Sequence, residues 1–160
     1  MDMLVRVSAL LGVIGLALAI VTYFMIMKLS PGTEKMAEIS KAVHDGAMVF
    51  LKREYTIIAV FVAVVFIALW VFLSGYTALA YLTGAIFSLL AGFIGMKAAT
   101  KSAPRTCQAA ISSGIGEALK VAFSGGSVMG LAVASLGLLG IAIYYISVSY
   151  THLRAHETVL

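Results

Sequence analysis

YTIIAVFVAVVFIALWVFLSGYTALAYLTGAIFSLLAGFIGM, residues Tyr55 to Met96, runs for 42 residues without a charge. Its middle is broken by Ser74-Gly75-Tyr76-Thr77. A membrane-crossing helix needs about 20 consecutive apolar residues, so a segment of this length with a turn at its centre reads as a membrane hairpin. Two further uncharged runs flank it. One is Val7 to Met27. The other is Val121 to Leu153, with an apolar core from Val128 to Val148. The pattern predicts an all-α polytopic membrane protein with four transmembrane helices, at about 7–29, 55–74, 77–101 and 121–148.

Composition agrees. The chain is 62% hydrophobic and 11% charged, with a mean hydropathy of +1.07, whereas a soluble domain carries about 25% charged residues. Both prolines, Pro31 and Pro104, lie between the apolar cores. The runs are apolar on every side, and a membrane β-barrel strand would alternate apolar with polar. Ala17-Leu18-Ala19 has the small-x-small form of a signal cleavage site but falls inside the first run. That run outlasts the roughly 7–15 apolar residues of a signal peptide, so the first span is expected to be retained.

The net charge of +4 does not indicate nucleic acid, because of where the charges fall. Lys28, Lys35, Lys41, Lys52 and Arg53 lie between spans one and two. Lys97, Lys101, Arg105 and Lys120 lie between spans three and four. Only Arg6 and Arg154 fall on the opposite side. Basic residues mark the cytoplasmic loops of a cell-membrane protein, so segments 28–54 and 97–120 are expected in the cytoplasm and both termini outside. The partner implied by composition is the lipid bilayer.

Between the first two spans, Ser30-Pro31-Gly32-Thr33 reads as a turn and a helix start. From Glu34 to Glu54, Met36, Ile39, Val43, Ala47 and Phe50 recur at helical spacing. They predict a cytoplasmic amphipathic helix that runs on into span two, with Lys41 and Asp45 able to pair. Lys52-Arg53 at the membrane entrance reads as a headgroup anchor. Pro104 should end or kink the third helix. Thr106 to Lys120 is mildly polar and expected to be helical. Gly126 and Gly130 form a GxxxG pair, whose expected role is close helix packing.

Candidate chemistry is sparse. Cys107 is the single cysteine and has no His or carboxylate near it in sequence. Gly114-x-Gly116 lacks the Lys-Ser/Thr ending of a phosphate loop. His44 reads as a solvated helix residue. Glu34, Glu38, Asp45, Glu54 and Glu117 are scattered, whereas a Mg²⁺ site needs several converging oxygen ligands. No Asp, Glu, Lys or Arg lies inside an apolar core, where an ion carrier would be expected to keep an ionisable group. No catalytic, cofactor-binding or metal residue is assigned on these grounds.

Three ordered segments carry a family resemblance. Met36-x-x-Ile39 is followed by Asp45-Gly46-Ala47-Met48-Val49-Phe50-Leu51-Lys52-Arg53-Glu54-Tyr55. Then come Gly95-Met96-Lys97-Ala98-Ala99-Thr100 with Arg105-Thr106, and Ala122-Phe123-Ser124-Gly125-Gly126-Ser127-Val128-Met129-Gly130 with Gly137-Leu138-Leu139-Gly140. From Gly32 to about Tyr145 the chain resembles the N-terminal part of the membrane-bound, ion-pumping pyrophosphatases. The resemblance implies a larger helical protein, homodimeric, that hydrolyses pyrophosphate with Mg²⁺, in some members with K⁺, and drives H⁺ or Na⁺ outwards. It also implies that these four helices belong to an outer ring, and that the pyrophosphate-binding carboxylates and lysines lie on inner helices. The first of those motifs, of the form D-V-G-A-D-L-V-G-K-V-E, is not in this sequence, so the chain itself is expected to be an inactive N-terminal fragment. The alternative readings are a complete small four-helix transporter and a structural membrane subunit.

From Ser149 the composition shifts abruptly. Residues 149–160 resemble translated adapter read-through and are expected to be a non-native tail. His152 and His156, with Glu157 beside them, imitate half of a helical metal site and are not assigned as one.

The charge asymmetry is directly testable. Topology reporters fused after Ser30 and after Ser74 should report opposite compartments, with Ser30 cytoplasmic. A cytoplasmic signal at Ser74 would overturn the orientation.

Overall fold

The computed structural model describes the backbone of residues 2–157 and the side chains of residues 3–147. The tail histidines therefore lie outside the described side chains. Four helices follow one another: α1 (Asp2–Met27), α2 (Glu34–Phe72), α3 (Gly75–Ser113) and α4 (Ile115–Glu157). Each is long and apolar enough to cross a membrane, the last over Ile115–Ser147. Among the described residues there is no strand. In hydrocarbon every backbone N–H and C=O must be satisfied within the segment, which leaves the helix as the solution for such runs.

The turns are built by the expected residues. Thr33 is extended and accepts the Met36 N–H on Oγ1 at 3.3 Å, capping α2. Ser74 does the same for α3, taking the Thr77 N–H on Oγ at 3.3 Å. Between α3 and α4 a single residue, Gly114, turns the chain at φ 85°. That left-handed conformation suits glycine, which has no Cβ to clash. Gly114 is thus the helix-to-helix turn, and Gly116 lies inside α4.

The amphipathic segment and span two are one helix, as the sequence predicts. Its 39 residues extend about 58 Å at 1.5 Å per residue, nearly twice the ~30 Å hydrocarbon thickness. The first half therefore projects beyond the membrane at the end where α1 stops. There Met36, Ile39 and Val43 face Pro104, Cys107 and Ile111 of α3 across an apolar cleft. Phe50 is exposed, and the neighbouring Leu51 is the buried residue of this helix.

One boundary differs from expectation. Pro104 does not end α3, which continues to Ser113. A proline inside a helix crowds the carbonyl four residues back and leaves it unbonded. One position further on, the Arg105 guanidinium donates from Nη1 to the Lys101 carbonyl at 2.6 Å. The bond ties the Arg105 side chain to its own helix at Lys101, the carbonyl next to the one that proline leaves unbonded.

α4 is the centre of the bundle and packs along both α1 and α3, while among the described residues α2 packs on α3 alone. The buried positions are mostly small: Ala19, Ala78, Ala91, Ala98, Ala132, Ala142, Ser102 and Ser135. Glycines set the closest approaches. A Cβ on Gly12 would lie 2.9 Å from Leu139 Cγ, one on Gly95 2.6 Å from Met129 Cγ, and one on Gly125 2.5 Å from Ser102 Oγ. The expected packing pair is not among them. Gly126 and Gly130 are exposed, with nothing within 4 Å of an added Cβ. One residue is a turn of about 100° on a helix with 3.6 residues per turn, so Gly125 faces α3 and its neighbour faces outward.

This register gives opposite expectations for two similar substitutions. Gly125→Leu should destabilise the detergent-solubilised protein by about 1–3 kcal/mol through overpacking. Gly130→Leu should change its unfolding midpoint little. Equal losses at the two positions would contradict the packing.

Candidate functional site

The polar groups that tie helices together gather at the basic end, where α1 stops, α2 begins and α3 passes Pro104. Arg105 is the centre of that region. It is 8% exposed, and its Nε donates to the Leu29 carbonyl at 3.1 Å and its Nη2 to the Met27 carbonyl at 3.4 Å. The last carbonyls of a helix lack intrahelical donors and carry its negative dipole end. One guanidinium thus binds the frayed end of α1 and a carbonyl of its own helix, α3, together. The fork of N–H donors makes this possible and a lysine ammonium would not reproduce it. Sequence reading had Arg105 as a loop cation and as part of an Arg-Thr motif, with no partner assigned. An arginine beside a proline within a long helical stretch was the available signal.

His44 is a second correction. It is half-buried rather than freely solvated, with Nδ1 2.8 Å from Thr100 Oγ1. The Thr100 hydroxyl has one proton, and Oγ1 lies 3.0 Å from the Met96 carbonyl, to which it donates. The His44 Nδ1–H is then the donor in the cross-helix bond. α2 is tied to α3 again by Tyr55, whose hydroxyl donates to the Leu89 carbonyl at 2.5 Å. At the opposite end of α3 the Tyr144 hydroxyl donates to the Leu79 carbonyl at 2.8 Å and lies 2.6 Å from Thr83 Oγ1.

The remaining candidates stand apart. Lys52, Arg53, Glu34, Glu38, Asp45, Glu54 and Glu117 are all exposed. Among the described residues the ion pairs are Lys35–Glu38 at 2.8 Å and Lys120–Glu117 at 2.5 Å. The expected Lys41–Asp45 pair is not one of them. Pairs this exposed contribute at most about 1 kcal/mol. No three His, Cys, Asp or Glu side chains converge on a possible metal position among the described residues. Cys107 is a free, exposed thiol beside the apolar cleft of Met36 and Ile111. The geometry is that of a helical membrane scaffold with one buried cationic clamp.

Comparison with known proteins sharpens that class. The family model for inorganic H⁺ pyrophosphatase matches residues 13–160. A putative K⁺-stimulated pyrophosphate-energized sodium pump of Clostridium tetani is 46% identical over 131 residues, covering 82% of this chain and 19% of that protein. A K⁺-insensitive pyrophosphate-energized proton pump of Pyrobaculum aerophilum is 39% identical over 145 residues, covering 87% and 20%. One from Methanosarcina mazei is 42% identical over 149 residues, covering 91% and 22%. The chain belongs to the inorganic H⁺ pyrophosphatase family, and it spans about a fifth of the length of the relatives it matches.

The Arg105 clamp makes a prediction of its own. Arg105→Ala should cost about 1.5–3 kcal/mol, the range for hydrogen bonds to a charged group, measured as detergent-state thermal stability. Arg105→Lys should recover only a small part. Full recovery by lysine would mean that charge alone, and not the fork, holds α1 to α3.

Proposed function

We propose that these helices are the N-terminal scaffold of an ion-translocating pyrophosphatase, a pump that couples pyrophosphate hydrolysis to export of H⁺ or Na⁺ across the cell membrane. The observation that carries this reading is the 39–46% identity to pyrophosphate-energized pumps across more than four-fifths of the chain. The basic end, with Lys28, Lys52, Lys97 and Lys120, faces the cytoplasm and the Ser74 turn faces outward, in keeping with the charge bias of membrane loops. Within the whole pump the four helices contribute to the outer ring of a homodimer.

The carboxylates described here do not suit Mg²⁺, which takes near-octahedral oxygen ligands. They are exposed and dispersed, and two of them are engaged by lysines. Magnesium, pyrophosphate and any K⁺ belong to residues of the pump outside this chain. The role of these residues is to hold helix positions: Arg105 and Thr100 at the cytoplasmic end, Tyr144 at the other.

Two assays test the reading together. The purified 160-residue chain should release no phosphate from magnesium pyrophosphate above background. A chimera in which residues 13–147 replace the matching segment of the Clostridium tetani pump should retain pyrophosphate-dependent ion uptake in vesicles. Magnesium-dependent hydrolysis by the chain alone, lost on mutating Lys52 or Glu117, would overturn the scaffold role. A chimera that inserts and folds but does not pump would overturn the family role.

A further inference from the structure

At the basic end, α1, α3 and α4 enclose a cleft of about 240 Å³ that opens on the side of the bundle. Its walls are apolar: Leu16, Ile20 and Phe24 from α1, Phe93 and Ile94 from α3, with Ala132 of α4 at the base. The single charge on its lining is Lys97. The Lys97 Nζ lies 5.9 Å from the centre of the Phe93 ring, at the limit where a cation feels the ring face. Among the described residues the carboxylates that meet a lysine are Glu38 and Glu117, and neither meets Lys97. The cleft is too small for another helix, which is about 10–12 Å across with its side chains.

Depth points the same way. Twenty-two residues separate Lys97 from Gly75, where α3 begins, a rise of about 33 Å. That matches the ~30 Å hydrocarbon core, so the ammonium stands at the level of lipid phosphates when Gly75 stands at the other face. An apolar slot below and an unpaired cation at its mouth are complementary to an acyl chain below an anionic headgroup.

We propose that this cleft binds one phospholipid of net negative headgroup, with an acyl chain along Ile20, Phe93 and Ala132 and its phosphate on Lys97. The lipid comes from the leaflet at the basic end and acts as a filler between α1 and α3, which touch each other at few points.

The test is native mass spectrometry of the full chain in mild detergent, with phosphatidylglycerol and phosphatidylcholine supplied in equal amounts. The unmodified protein should retain phosphatidylglycerol in preference. Lys97→Gln should lower that preference about fivefold, as expected for one lysine at an anionic surface, and Lys97→Arg should keep it. Lys120→Gln, whose ammonium is already paired with Glu117, should leave it unchanged. Ile20→Trp, which fills the slot and leaves the charge, should reduce retention of both lipids. The proposal is overturned if Lys97→Gln retains phosphatidylglycerol as the unmodified protein does. It is overturned equally by a protein with no preference between the two lipids, or by Lys97→Gln and Lys120→Gln having the same effect.

Discussion

Helices in a bilayer gain little by hiding apolar side chains from one another, since lipid is as apolar as leucine. They meet where small residues let backbones approach and van der Waals contact become dense. The bundle follows from that constraint. Gly12 and Gly15 bring α1 onto the Ser135 and Leu139 turns of α4. Gly95 and Gly125 bring α3 and α4 together around Met129 and Ser102. Larger side chains such as Ile26 and Val128 are buried only where these approaches have already placed them, around Ala98. The broad, exposed apolar surface of α2, with Ile57, Phe61, Val64 and Trp70, is the counterpart: it lacks glycine between Tyr55 and Leu73 and packs on one neighbour.

Polar bonds refine what small residues permit. Inside an apolar medium a satisfied hydrogen bond is directional and an unsatisfied one is costly. Arg105, His44–Thr100 and Tyr55 at one end, and Tyr144 with Thr83 at the other, each join different helices. Arg105 stands out because one side chain joins the end of α1 to α3 through three carbonyls. A scaffold of this kind fixes helix ends through backbone carbonyls.

Much of this fold was legible from residue order. The Tyr55–Met96 run with its Ser74 break, the Thr33 start, and the continuity of the amphipathic segment with span two all came through, since hydropathy and capping are local properties. The tolerated Pro104, the paired His44 and the identity of the packing glycines did not. These spans are apolar on every side, so no periodic polar face tells which way a helix is turned. Choosing Gly126 over Gly125 is an error of one residue and a rotation of about 100°. Likewise Arg105 could be placed at the basic end from sequence, but its partners across the bundle are carbonyls 76 and 78 residues away. The family itself was legible because three motifs recur in order, and the matches to pyrophosphate-energized pumps bear it out.

The most direct test of this architecture is a disulfide across the α1–α4 contact. A Cβ on Gly15 would lie 3.7 Å from Ser135 Cβ, within the roughly 3.5–4.5 Å that a disulfide spans. In a Cys107→Ser background, Gly15→Cys with Ser135→Cys should crosslink on mild oxidation in membranes. Gly15→Cys with Gly130→Cys should not, because Gly130 faces away from the other helices. Crosslinking of the second pair in preference to the first would mean that α4 is turned the other way and that the small-residue register described here is wrong.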